Sequence, residues 1–410
     1  MNFSLLEAIA QKYGTPFYLM DEKVYIQNIQ AFQLSFWKKY SKLIVGYSFK
    51  TNYVPALCKI AKDLGCFAEV VSDMEYQLAK RLGFQHIIFN GPIKKEDDLL
   101  KALKDGAVIN LDSMYEVDII LKYKKEHPDL EIKIGLRINI DLIDGDGMSK
   151  IQCGLKAGRF GFTRELLNDI IPLLRNQGVK IISLHGHTSS SDRAVDNYKL
   201  IVEQMLRVCD SFNLNDLLFF DVGGGFCGAF AKGIDISNKP KYMDYANCIL
   251  DICLSNSWFN KVQPNIVIEP GVSVVANVFS YVSKVFQSKV VTGLHFLTTD
   301  GTVFDVKPTM HNNNLPYTFY TKEKCNSTYE ANVVGSTCME KDVMLNNISV
   351  PSNVGYGDYV KIDGVGAYTM VLTPTFINFV SPIIRMSEDG VTSIVRRRQT
   401  IDDVMVLYDI

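Results

Sequence analysis

From about residue 40 to residue 270 the chain alternates short apolar runs with longer amphipathic stretches. Eight runs stand out: LIVGYS at 43–48, FAEVV at 67–71, IIFN at 87–90, AVIN at 107–110, IKIGLRI at 132–138, IISLH at 181–185, LLFFDV at 217–222 and NIVIE at 265–269. Their β-branched and aromatic content predicts strands, and the lack of a polar face predicts burial on both sides, as in a parallel sheet. Between them the period lengthens to that of a helix, as in Asp97–Lys104, Met114–Glu126 and Asn197–Asp210. Eight βα units in about 230 residues predict a closed (β/α)8 barrel of the TIM type rather than an open doubly wound sheet. An opening helix is predicted at Ser4-Leu5-Leu6-Glu7, where hydroxyl and carboxylate form a capping box.

Beyond Glu269 the texture changes. VVANVFSYVSKVFQSKVV, FLTTDGTVFDV, EANVVGSTC, GDYVKIDG and TSIVRRRQT read as strands parted by Asn, Gly and Pro turns, so a second, β-rich domain is predicted from about residue 275. The fold class is therefore α/β plus β, a barrel followed by a β-barrel or sandwich domain.

Composition narrows the function. With 410 residues, 47% of them hydrophobic, the chain has ample apolar surface for two cores. Lys+Arg 43 against Asp+Glu 45 gives a net charge of −2, which supplies no field for gripping nucleic acid or an anionic membrane. The N-terminus shows no signal-peptide pattern and no stretch is long enough for a membrane span, so a cytoplasmic location is expected. The nine cysteines (Cys58, Cys66, Cys153, Cys209, Cys227, Cys248, Cys253, Cys325, Cys338) include no CxxC pair, so no metal is expected and reduced thiols are. The run Arg396-Arg397-Arg398 reads as a solvated strand end.

Active sites of such barrels lie at the C-terminal ends of the strands. The residues there are Ser48-Phe49-Lys50, Glu69 and Ser72, Asn90, Asp112, Arg137, His185 and His187, Asp221 ahead of Gly223-Gly224-Gly225, and Glu269 ahead of Pro270-Gly271. Each alone has a bland reading, but their collection at one rim does not. A lysine able to form a Schiff base, a glycine turn and the Ser190 hydroxyl for a phosphate, an imidazole for a ring face and a carboxylate for a ring nitrogen describe a pyridoxal-phosphate pocket.

The segments VGYSFKTNYVPAL, LHGHTSS, DVGGGF, IEPG, GSTCMEKD and GAYT resemble, in order and spacing, those of the ornithine/diaminopimelate/arginine decarboxylases, closest in layout to diaminopimelate decarboxylase. The resemblance implies residues 1–25 packing with the β domain, a pyridoxal-phosphate-binding barrel over 26–274, a β domain over 275–410, and a homodimer with shared sites. It implies Lys50 as Schiff-base lysine, His187 on the ring, and Glu269 at the ring nitrogen. Arg137 and Glu69 would lie beside the cofactor, and Ser190, Gly223, Gly224, Gly225, Gly271 and Tyr368 would hold its phosphate. Cys338 would be the proton donor, reaching in from the other subunit, with Met339, Glu340, Asp342 and Tyr368 toward the substrate.

Three departures from the family pattern bear on substrate. Val272 stands where arginine usually follows glutamate-proline-glycine, Met339 where an acid usually follows the cysteine, and Lys307-Pro308 where diaminopimelate enzymes carry arginine-proline. An amino acid conjugated at its distal end, acylated or carrier-bound, suits such a pocket better than a free diamine. The alternatives are a diaminopimelate, ornithine or lysine decarboxylase proper, a racemase, which the carboxylate at Glu269 disfavours, and a non-catalytic relative, which the retention of Lys50, His187, Glu269 and Cys338 disfavours.

Overall fold

The structure, a computed structural model, describes residues 1–143, 146–152, 155–190, 192–387 and 390–409; Cys153 lies outside them. The chain forms two compact units, one of residues 1–25, 229–237 and 274–410, the other of 26–228 and 238–273.

The second unit is a closed eight-stranded parallel barrel. Its strands are Leu43–Ser48, Phe67–Val70, Ile87–Phe89, Val108–Leu111, Ile132–Ile138, Val179–Gly186, Phe219–Asp221 and Asn265–Ile268, and the last pairs with the first to close the ring. Every one falls on a run picked out by its apolar content. Successive side chains alternate faces. Ile88, Val108 and Val267, with Ile44, Phe67 and Phe219 against them, fill one interior layer with hydrocarbon. Two residues further along five of these strands stand Glu69, Asn90, Asn110, Asp221 and Glu269, all buried. The apolar layer thus forms the floor of a polar one.

The other unit is a nine-stranded sheet. Phe17–Met20, from the N-terminal segment, lies between Phe279–Val291, antiparallel, and Ile383–Met386, parallel. Leu6, Ile9, Phe17, Leu19, Val282, Tyr359 and Ile384 form a core cluster of the sheet and the first helix.

Four local expectations need correction. The first helix, Phe3–Tyr13, is capped by Asn2, whose side chain accepts from the Leu5 amide, so Ser4 sits inside the first turn and forms no capping box. Residues 274–278, read as strand, lie in helical turns that start at Val272, before the strand begins at Phe279. Burial of Val274, Val275 and Val278 overrides the β preference of valine there. Val303–Val306 is a short helix because Thr302 caps it and Asp342, far along the chain, accepts from the Val303 amide. In the arginine run only Arg397 is exposed; Arg396 donates to the Ser381 carbonyl and Arg398 to that of Pro16. Among the described residues no helix is long and apolar enough to cross a membrane.

Candidate active site

Lys50 lies in a single turn of 3-10 helix, Phe49–Thr51, at the end of the first barrel strand. Its amine donates to Glu69 Oε2 at 2.7 Å, and its side chain is 37% exposed whereas that of Glu69 is 1% exposed. Ser48 Oγ donates to the same oxygen at 2.6 Å, and Asn90 Nδ2 to Glu69 Oε1 at 3.2 Å. Glu69 is thus fixed from three sides and aims the lysine amine.

Glu269 is buried at the end of the eighth strand. Asn90 Nδ2 donates to its Oε1 at 2.6 Å, and His185 Nε2 lies 3.5 Å from its Oε2. Burial pushes its acidity down, but the neighbouring His185 and Lys50 outweigh burial and hold the carboxyl below the usual carboxylate range. Asp221, on the adjacent strand, moves the opposite way: burial and the negative charge of Glu269 push its pKa well up.

Arg137 reaches Asp112 Oδ2 at 3.4 Å and donates to the His187 carbonyl at 3.3 Å, with the Phe160 ring 4.5 Å from its guanidinium carbon. His187 Nδ1 accepts from the Gly224 amide at 3.2 Å. Burial and the Arg137 charge lower the imidazole pKa to about 3, so the ring is neutral and its proton is on Nε2.

The glycine turn is sterically enforced. Gly223 and Gly225 have φ of 69° and 97°, and a Cβ on Gly223 would lie 2.5 Å from His187 Cβ. A Cβ on Gly224 would overlap the Glu269 carbonyl oxygen. Tyr198 Oη donates to the Gly224 carbonyl at 2.6 Å, and Ser190 Oγ accepts from the Arg193 amide at 3.1 Å and Asn197 Nδ2 at 2.9 Å. Gly271 packs where a side chain would strike Thr51, within Lys50's turn, and crowd Ser48, the residue before it.

The barrel therefore gathers Lys50, Glu69, Arg137, His187, Ser190, Gly223–Gly225, Glu269 and Gly271 at one rim. Asn110, Asn197 and Tyr198 escaped the sequence reading. Asn110, which donates to Asn90, was visible as the polar last letter of AVIN, whereas the other two look like ordinary helix residues.

In the β unit, Cys338 and Glu340 are exposed and Met339 is half-buried. Asp342, expected toward the substrate, is held within its own unit. It is buried, and its oxygens accept from Val303 N at 2.6 Å, Thr302 Oγ1 at 3.2 Å, Thr337 N at 3.0 Å and Thr337 Oγ1 at 2.6 Å. It ties the loop bearing Cys338 to the helix at Val303. Tyr368 is 39% exposed and has a left-handed backbone, φ 53°. The eight cysteines among the described residues are unpaired.

A sequence profile described as pyridoxal-dependent decarboxylase, pyridoxal binding domain, matches residues 26–276. The probable chloroplastic diaminopimelate decarboxylase of Oryza sativa subsp. japonica is 26% identical, over 98% of this chain and 81% of its own. An L-glutamyl-[BtrI acyl-carrier protein] decarboxylase of Niallia circulans is also 26% identical, over 99% and 96%. Among solved structures, diaminopimelate decarboxylase of M. jannaschii in complex with L-lysine superimposes with a TM-score of 0.86, at 24% identity and 98% and 94% coverage.

The residues fit pyridoxal phosphate. Buried polar atoms that lack a partner cluster around the polar layer: both His185 nitrogens, Arg137 Nε, Ser183 Oγ and Asn110 Oδ1. A primary amine, an ionised buried carboxylate, a neutral imidazole and a glycine turn with no room for a side chain are the donor set that a phosphorylated pyridine aldehyde requires.

Proposed function

Because the chain belongs to the pyridoxal-dependent decarboxylases, we propose that it removes the α-carboxylate of an amino acid whose distal end is acylated or joined to a carrier. The chain is a pyridoxal-phosphate-dependent amino-acid decarboxylase; the substrate is read from its loop at 335–342 and from nearby departures in sequence.

One observation carries that reading. Of the side chains on this loop that could hold a distal ammonium, Asp342 is taken up by four donors of its own unit, and Met339 offers an apolar wall. A distal ammonium brought to Met339 would lose hydration without a charged partner unless Glu340 supplied one. Val272 likewise removes a cation that could meet a free carboxylate. The carrier-bound substrate in the name of the Niallia circulans relative supports the same reading. A second reading, diaminopimelate decarboxylation, is favoured by the names of the other relatives and would fall to the exposed Glu340 as ammonium partner.

When bound, the cofactor supplies an electron sink for the pair left on the α-carbon as CO2 departs. Lys50 would hold it covalently through its amine, which Glu69, 2.7 Å away, orients and whose proton Glu69 is placed to accept. Glu269 would keep the ring nitrogen protonated, and His187, neutral, would face the ring without adding charge. Arg137 and the turn at Gly223–Gly225, with Ser190 and Gly271, would hold the ring oxygen and the phosphate. Cys338 of a second copy would supply the proton that replaces the carboxylate. The exposed apolar side chains Leu372, Phe376, Ile377 and Phe379 favour such a homodimer, and eight unpaired cysteines favour a reducing, cytoplasmic setting.

A substrate panel tests the reading: meso-diaminopimelate, ornithine, lysine, arginine and distally acylated or carrier-bound amino acids, followed by CO2 release. Free diamino acids are expected to be poorer by about ten- to a hundredfold in kcat/KM, equivalent to roughly 1.4 kcal/mol per decade. Met339→Asp should shift preference toward them. Ordinary turnover of meso-diaminopimelate or ornithine by the wild type would end the conjugated-substrate proposal.

A further inference from the structure

Three buried groups in the barrel share one small volume that the chemistry above uses only in part. An oxygen of Asp221, an oxygen of Glu269 and a ring nitrogen of His185 all lie within 4.8 Å of one another, and the three residues are 1%, 4% and 1% exposed. Strand register puts them there. His185 is paired with Asp221 across one strand boundary, and Asp221 with Val267 across the next, two residues before Glu269.

Hydrogen-bond accounting separates the two carboxyl groups. Glu269 accepts from Asn90 on Oε1 and faces His185 with Oε2. Asp221 uses Oδ1 to accept from the Gly223 amide at 2.9 Å, the residue that opens the glycine turn, which leaves Oδ2 for its neighbour. Two carboxylates at this distance out of water cannot both be ionised, and a carboxyl kept neutral by its surroundings becomes a hydrogen-bond donor. Glu269 has Asn90 as a donor, His185 Nε2 at 3.5 Å and the Lys50 ammonium nearby; Asp221 has one backbone amide. The proton therefore belongs on Asp221. Burial and the Glu269 charge, which raise the pKa of Asp221, and the His185 and Lys50 neighbours, which outweigh burial and lower that of Glu269, run the same way.

We propose that Asp221 is a positioning residue held as a neutral acid, donating through Oδ2 to Glu269 while Oδ1 holds the Gly223 amide, so that one side chain keeps Glu269 ionised and sets the glycine turn. The part concerning the cofactor rests on Glu269 as the ring-nitrogen partner; the protonation of Asp221 does not. An asparagine at 221 would reproduce both contacts, its amide group donating where the acid did and its oxygen accepting from Gly223. Alanine would remove both.

The test uses the full-length protein in two states. Infrared difference spectra of the apoprotein at neutral pH, wild type minus Asp221→Asn, should contain a protonated-carboxyl carbonyl band that shifts in deuterium oxide. Titration with pyridoxal phosphate, followed by absorbance, should give Asp221→Asn an affinity within about threefold of wild type and Asp221→Ala one at least tenfold weaker. Circular dichroism of both apoproteins shows that the loss is local.

Absence of the band, or an Asp221→Asn variant as impaired as Asp221→Ala, or an Asp221→Ala variant that binds like wild type, would each overturn the proposal. Glu269→Gln separates the premise: if it leaves cofactor affinity and absorbance unchanged while the infrared band stands, Glu269 is not the ring partner and Asp221 is still a neutral acid.

Discussion

Replacing Asp342 by alanine should unfold the β unit at lower temperature rather than merely weaken substrate binding. Asp342 accepts four hydrogen bonds, two from backbone amides, Val303 N and Thr337 N, and two from the hydroxyls of Thr302 and Thr337. The hydroxyls can rotate toward other acceptors; the amides cannot. Each buried donor left without a partner costs about 1–3 kcal/mol, so the pair together gives roughly 4 kcal/mol. For a unit of this size that corresponds to a drop of about 8–16 °C in Tm. Asparagine keeps one acceptor oxygen and turns an amide group toward the other donors, so Asp342→Asn should also be destabilised. Glu340→Gln, an exposed change two residues away, should stay within about 0.5 kcal/mol of wild type. Differential scanning calorimetry of the apoproteins reads the shifts, and steady-state kinetics reads KM. An Asp342→Ala enzyme that melts with the wild type but shows a raised KM would mean that the carboxylate faces substrate, and the loop-anchor argument would be wrong.

Three further outcomes can be checked. Borohydride reduction of the holoenzyme followed by peptide mapping should find a pyridoxyl group on Lys50, with Lys50→Arg unlabelled; a label on another lysine would displace the assignment. Mixing and reassociating Lys50→Ala with Cys338→Ala chains, each inactive and folded, should restore activity through one intact site per dimer, and no recovery would rule out a shared site. His187, with a folded-state pKa of about 3 against about 6.5 unfolded, binds fewer protons folded than unfolded between those values. Apoprotein stability should accordingly fall as pH drops from about 6.5 toward 3, and His187→Gln should flatten that slope in denaturant titrations; an unchanged slope would contradict the neutral imidazole.

The barrel was legible in the chain because its information is local. Each strand is a run of β-branched or aromatic residues buried on both faces, and Phe67, Ile88 and Val267 occupy every second position, so the polar residue two places on had to point inward as well. That parity makes Glu69, Asn90 and Glu269 a set before any coordinates are known. Lys50, His187 and the glycine turn were legible for a related reason, since they sit where the runs end. Residue type alone did not distinguish partners among them. That Glu69 rather than Glu269 meets Lys50 is a matter of register, since the first strand neighbours both: Glu69 is level with Ser48, whereas Ile268 is level with Val45.

The β unit was harder to read because its decisive contacts join distant residues. Val303–Val306 carries a strand-like pattern, yet it is helical since Asp342, about forty positions later, accepts from its first amide. The same bond changes Asp342 from a candidate substrate contact into the anchor of its loop. The sequence determined which side chains lie at the barrel rim, through a period of two and the ends of apolar runs. Only the tertiary structure decided which carboxylates are free to act, because a buried acceptor is assigned by the donors brought to it, and these come from parts of the chain that no local pattern connects.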